Sequence, residues 1–171
     1  MPVAWFARRQ DTRRSLPGVQ AIKRTRVYVD TSVIGGCFDK EFAAESRAVV
    51  QAAREGRFVL LLSALMAAEV EAGPPMLQGV LRDLPEASFE QVAISEESER
   101  LRDAYLLAKV VGSGHAKDAH HIALATVARA DLVVSWNFKH IVHWDKIRMF
   151  NAVNLREGYP AIEIRSPREV I

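Results

Sequence analysis

With 171 residues, the chain fits a single domain and is long enough to bury a substantial core. Hydrophobic residues at 49% and charged residues at 26% are the proportions of an ordinary soluble globular protein, and no apolar run nears the roughly 20 residues of a membrane-spanning helix. The formal charge of +2 is unevenly spread: seven of the 23 basic residues but only one of the 21 acidic ones fall in residues 1–26, so this segment carries +6 and the remainder −4.

The basic opening, residues 1–25, reads as a disordered leader ahead of one domain, residues 26–171. It lacks the apolar stretch of a secretory signal, which sets a cytoplasmic location as the expectation. Such an arm either grips polyanion phosphates or is inert. Next comes Val27-Tyr28-Val29, an apolar run that stops abruptly at Asp30-Thr31-Ser32. Phe42, Val49, Val50 and Ala53 then line one face of a helix near residues 41–55, closed by Gly56. The lone cysteine, Cys37, excludes an internal disulfide and a multi-cysteine zinc site, and reads as a small packed residue.

A second apolar run, residues 58–62, ends in Ser63. A short helix follows over residues 65–72, stopped by Gly73-Pro74-Pro75, with another segment to about Leu84. A weaker strand falls within residues 89–94. Ser95 caps a helix with Glu96 and Glu97 in its first turn and Leu101, Tyr105, Ala108 and Val111 on its apolar face. Gly112-Ser113-Gly114 breaks it before a further helix from Ala116 to about Ala130. Leu132-Val133-Val134 is the third clear strand, ending in Ser135-Trp136-Asn137. A last helix is expected over residues 138–149, and a weak strand within 161–164. Continuous apolar runs suit strands buried on both faces, and their alternation with helices predicts a three-layer α/β/α sandwich around a mainly parallel sheet.

In such sheets ligands bind beyond the carboxyl ends of the strands, where Asp30 and Asn137 stand. Glu69 lies two turns into the helix after the second strand, and Asp118 opens the helix from Ala116. Each has an ordinary structural explanation: a turn residue, a solvated helix residue, an acid favoured by a helix dipole and a helix cap, respectively. Brought to one cleft, however, the carboxylates cannot all stay ionised without a cation. An all-oxygen donor set suits Mg²⁺ or Mn²⁺, ions that activate water and neutralise charge on a phosphate in transfer.

At these residues the sequence resembles the PIN-domain ribonucleases, especially their VapC-like toxin branch. Residues 27–34, Val-Tyr-Val-Asp-Thr-Ser-Val-Ile, resemble the family's opening motif, a strand delivering the first metal-binding Asp. Residues 63–69 are similar to the second, an acid on a helix. Residues 117–125 match the third, and residues 132–138 resemble the fourth. The resemblance implies Mg²⁺ or Mn²⁺ held by Asp30, Glu69 and Asp118, with hydrolysis of RNA phosphodiesters. It also leaves room for an antitoxin partner and a homodimer. Many members carry Asp in the fourth motif where this chain has Asn137, which supplies an amide oxygen but no charge and puts a second ion in doubt. Thr31, Ser32 and Ser135 become candidates for orienting the acids or the attacking water.

His121, three residues after Asp118, shares its helical face and borders the expected cleft, whereas His120 points away. His140 and His143 read as surface or interface residues, because no third ligand is spaced to join them. Two alternatives remain open from sequence: a PIN-like module that binds RNA or a partner without cleaving, and a histidine-based nuclease that needs no metal. No Gly-rich phosphate loop is present.

Overall fold

The computed structural model describes residues 24–171. The basic leader lies outside them except for its last two positions, and Thr25 already belongs to the first strand. Among the described residues there are five strands: β1 (Thr25–Val29), β2 (Phe58–Ser63), β3 (Phe89–Val92), β4 (Leu132–Val134) and β5 (Glu163–Arg165). They form one sheet in the order β3-β2-β1-β4-β5, and every neighbouring pair is parallel. The helices are α1 (Thr31–Gly36), α2 (Ala43–Arg54), α3 (Ala64–Ala72), α4 (Pro75–Arg82), α5 (Glu96–Leu107), α6 (Ala116–Val127) and α7 (Trp144–Arg156).

The apolar runs explain the layering. Along β1, Val27 and Val29 point into one core with Leu60, Leu62 and Val134, which α1 to α4 cover. Tyr28 points the opposite way, joining Leu61, Val133 and Ile164 under α5, α6 and α7. Alternate side chains of a strand leave opposite faces, so a central strand must be apolar at every position to serve two cores. Residues 27–29 and 60–62 are wholly inaccessible to solvent. The expected α/β/α sandwich is the observed one. β5 pairs with β4, which makes the C-terminal residues part of the same sheet.

Arg26, counted above with the basic leader, is the second residue of β1. Its guanidinium is bound by Glu90 at 2.8 Å and donates to the carbonyls of Ala128 and Arg129. That positive charge ties β1 to β3 and to the end of α6, and is already paired.

Two helices, α7 and α5, depart most from expectation, α7 running to Arg156 rather than residue 149. Residues 138–143 form turns rather than the start of a helix, and α7 begins only at Trp144. Asn137 causes the delay: its carbonyl accepts from both Ile141 N (3.0 Å) and Val142 N (2.8 Å), while its side-chain Oδ1 accepts from His140 N at 2.9 Å. α5 stops at Leu107, and Lys109 takes a left-handed φ of 56°, so Ala108 and Val111 lie beyond the helix although Val111 is still buried. Ser95 caps α5 as expected, with its Oγ accepting from Ser98 N at 3.1 Å. Gly56, at φ 76°, takes the left-handed conformation that closes α2.

α1 was not foreseen from sequence. Its last residue, Gly36, lies against Ser46 Oγ and Trp136 Nε1, and a Cβ there would collide with both. That close approach seats Trp136, which stacks on Phe42 at 4.3 Å and donates to Ser46 Oγ at 2.8 Å.

Candidate active site

β1, β2 and β4 end side by side, and the residues that follow them build a polar cleft at that edge. Asp30 occupies the cap position of α1, yet its carboxylate makes no capping hydrogen bond. Instead Ser32 Oγ donates to Oδ1 at 2.5 Å and Ser135 Oγ donates to Oδ2 at 2.7 Å. Ser32 in turn accepts from Trp136 N, and Ser135 from Asn137 N, both at 2.9 Å. Two hydroxyls from two connections therefore fix both oxygens of Asp30. Its exposure is only 5%, and among the described residues no lysine or arginine pairs with it. Burial pushes its pKa up, against the pull of His121 and the two serine hydroxyls, while nearby Glu69 raises it further.

Glu69 reaches the same cleft from α3, which Ser63 starts by accepting from Met66 N at 3.1 Å. Glu69 Oε2 takes hydrogen bonds from Thr31 Oγ1 and from His121 Nε2, the latter at 3.1 Å. Its Oε1 faces the exposed Lys117 ammonium at 4.0 Å. Burial raises this carboxyl's pKa, but the hydrogen bonds from His121 and Thr31 and the nearby positive charges outweigh it, and the net direction is down.

His121 is clamped from behind. Its Nδ1 lies 2.7 Å from Tyr28 OH, and Tyr28 OH lies 2.8 Å from Ser63 Oγ. With a neutral imidazole, one proton arrangement satisfies every group. Ser63 donates to Tyr28, Tyr28 donates to Nδ1, and Nε2–H donates to Glu69. Burial raises the Tyr28 pKa far above its usual value, so the phenol keeps the proton it gives.

Asp118 stands in the first turn of α6, a helix that runs back toward the start of β4 and so begins above the strand ends. Asn137 Nδ2 donates to Asp118 Oδ1 at 3.1 Å. Because His140 N–H requires an acceptor, the Asn137 amide oxygen turns away from the cleft and its nitrogen turns toward Asp118. The oxygen through which Asn137 was expected to serve a metal is thus occupied. On the other side, His115 Nδ1 lies 3.5 Å from Asp118 Oδ2.

Hydrogen bonds link Asp30, Ser32, Ser135, Asn137 and Asp118 in one chain and Glu69, Thr31 and His121 in a second, and Asp30 lies within electrostatic reach of Glu69 and His121. Asp30, Glu69 and Asp118 do not, however, offer three oxygens all within 4.8 Å of one another; among the described residues only His115, Asp118 and His140 form such a group. Tyr28 and Ser63 were missed as support for His121, and His115 was missed beside Asp118, although its spacing three residues before Asp118 is visible in the sequence. His120 is packed, with Nε2 3.3 Å from Ser98 Oγ. Trp136 packs in the core, whereas Phe138 is 45% and Trp144 69% exposed.

A family model of the PIN domain matches residues 26–139. The chain belongs to the PIN-domain family. All four positions of the acidic constellation fall within the matched span, and α7 and β5 extend this PIN domain beyond it. A solved structure, VapBC2 from Rickettsia felis bound to a DNA fragment from their promoter, is similar in fold. The TM-score is 0.51 at 14% identity, over 83% of this chain and 98% of that one. No curated protein matches the sequence. Among the described residues of this PIN domain, no helix is long and apolar enough to cross a membrane.

Proposed function

We propose that this PIN domain is a metal-dependent endoribonuclease that hydrolyses RNA phosphodiesters, with Asp30, Glu69 and Asp118 holding Mg²⁺ or Mn²⁺. The observation that carries the reading is Asp30: a buried carboxylate with both oxygens fixed by hydroxyls and, among the described residues, no lysine or arginine paired with it. Such a group is costly to keep ionised in a protein without a cation. The donor set is hard and all-oxygen, as these ions require. Mg²⁺ keeps several waters and takes only one or two carboxylates directly, so the wide spacing of the acids fits an ion that some of them hold through water. When bound, the ion supplies an activated water nucleophile and neutralises charge building on the phosphate.

The chain's own side chains prepare that chemistry. Ser32 and Ser135 keep Asp30 from rotating. Thr31 and His121 hold one oxygen of Glu69 and leave the other facing the open side with Lys117. Lys117, 75% exposed, is placed to meet a backbone phosphate. Asn137 fixes one oxygen of Asp118. Hydrolysis by water has no need of the RNA 2′-hydroxyl, so substrate carrying 2′-O-methyl groups remains cleavable.

The fold likeness to a VapBC structure supports reading the chain as the toxin of a toxin–antitoxin pair. It would act in the cytoplasm as a homodimer, restrained by an antitoxin protein. The basic segment ahead of β1, residues 1–24, would precede the single domain and add phosphate contacts.

Chelation tests the proposal: cleavage of single-stranded RNA should vanish in EDTA and return with Mn²⁺. Cleavage that survives EDTA favours a histidine-based nuclease, and RNA binding without cleavage in Mn²⁺ favours a non-catalytic module.

A further inference from the structure

His115, Asp118 and His140 come together from separate parts of the chain. His115 ends the 3-10 turn Ser113–His115 and stands at the cap position of α6, with Asp118 one turn on along the same face. His140 arrives from the connection after β4, its backbone N–H anchored on Asn137 Oδ1 at 2.9 Å. The two imidazole rings stack with centroids 3.7 Å apart and planes at 28°. Each of the three residues offers a ligand atom, and these atoms lie within 4.8 Å of one another.

We propose that His115, Asp118 and His140 form a binding site for a zinc-class transition-metal ion, beside the carboxylate site and sharing Asp118 with it. Two imidazole nitrogens and one carboxylate make a borderline donor set that Mg²⁺ does not use and Zn²⁺ does. Three ligands around Zn²⁺ at about 2.0–2.1 Å stand roughly 3.4 Å apart, so the site must contract from its present spread and the stacked imidazoles must splay until their in-plane nitrogen lone pairs converge. The side chains have the freedom to do this, being 43% exposed at His115 and 22% at Asp118. Three protein ligands leave a fourth position for water or a phosphate oxygen.

The two sites divide Asp118 between them. Oδ1 faces Asn137 and the acidic cleft, while Oδ2 faces His115. Zinc at the histidine pair therefore draws on charge that the hard ion also uses. The donor set stands by itself; only this coupling to Mn²⁺ or Mg²⁺ rests on the proposed function.

Calorimetric titration of Zn²⁺ into the metal-free full chain, free of any polyhistidine tag, tests the site. One equivalent of zinc should bind. His115→Ala and His140→Ala should each weaken it at least about tenfold, since a lost ligand costs no less than a lost supporting partner. Asp30→Asn should leave zinc affinity within about threefold while weakening Mn²⁺, which separates failure of this site from failure of the acidic one. Co²⁺ used as an optical probe should give visible ligand-field bands that disappear in both histidine variants, with thermal melts showing that they remain folded. Zinc affinity unchanged in the His115→Ala/His140→Ala double variant overturns the proposal. Zinc binding abolished by Asp30→Asn, or absent from the parent chain, does so equally.

Discussion

Tyr28 OH and His121 Nδ1 lie 2.7 Å apart in the interior, joining the middle of β1 to the face of α6 that carries Glu69's partner. Tyr28→Phe removes the hydroxyl while keeping the ring, leaving Nδ1 and Ser63 Oγ each without that contact. The loss should cost about 1–3 kcal/mol of stability, the usual penalty for buried polar groups left unpaired. It should also weaken Mn²⁺ binding, because the imidazole that steadies Glu69 is freed. Urea denaturation and metal titration measure the two effects; a variant as stable as the parent would show the contact to be idle.

Asp30 predicts a pH dependence of definite sign. Its folded pKa is raised by burial, so between the ordinary aspartate value and the raised one the folded chain binds more protons than the unfolded. Stability falls as pH rises through that window, and the full penalty is present above it. Asp30→Asn, which does not titrate, should therefore melt higher than the metal-free parent at neutral pH, with the difference closing in acid. Glu69 has the opposite sign: its lowered pKa contributes stability that is lost as pH falls below the ordinary glutamate range. Melts across pH 3 to 8 for Asp30→Asn and Glu69→Gln separate the two, and parallel curves would contradict both assignments.

Asn137→Asp places a carboxylate oxygen where an amide nitrogen now donates to Asp118. The substituted oxygen still accepts from His140 N, so the turn survives, but the attraction across 3.1 Å becomes repulsion. Without metal the variant should melt lower than the parent. With Mn²⁺ it should gain more than the parent does, because the added charge strengthens the site. An equal metal-induced shift in both proteins would show that Asn137 serves only its turn.

Residues 1–23 contain five basic side chains and Asp11, and Arg26 is held by Glu90. Deleting 1–23 should weaken RNA binding and flatten its salt dependence, since fewer counterions are released. Binding measured at several salt concentrations checks this; an unchanged slope would mean the leader makes no phosphate contact.

The central strands were legible because burial on both faces leaves a continuous apolar run; Asp30 was legible because it directly follows such a run and Asp118 because it opens a helix, whereas Glu69 lies inside α3 and stood out only through the motif resemblance. Asn137 misled the placement of α7. Its side chain caps a turn rather than a helix, and helical propensity alone cannot distinguish the two. Tyr28 looked like one more apolar strand residue, and its hydroxyl gained meaning only once α6 placed His121 above it. His115 and His140 are 25 positions apart and meet through the turn that Asn137 organises, a relationship no local pattern reveals.

The central claim is that buried Asp30 is held ionised by a catalytic cation, and single-turnover cleavage of RNA by Asp30→Asn at saturating Mn²⁺ tests it most directly. A loss of several kcal/mol of charge stabilisation predicts a rate at least about a hundredfold below the parent, with the variant cooperatively folded. A rate within about threefold of the parent would contradict the account.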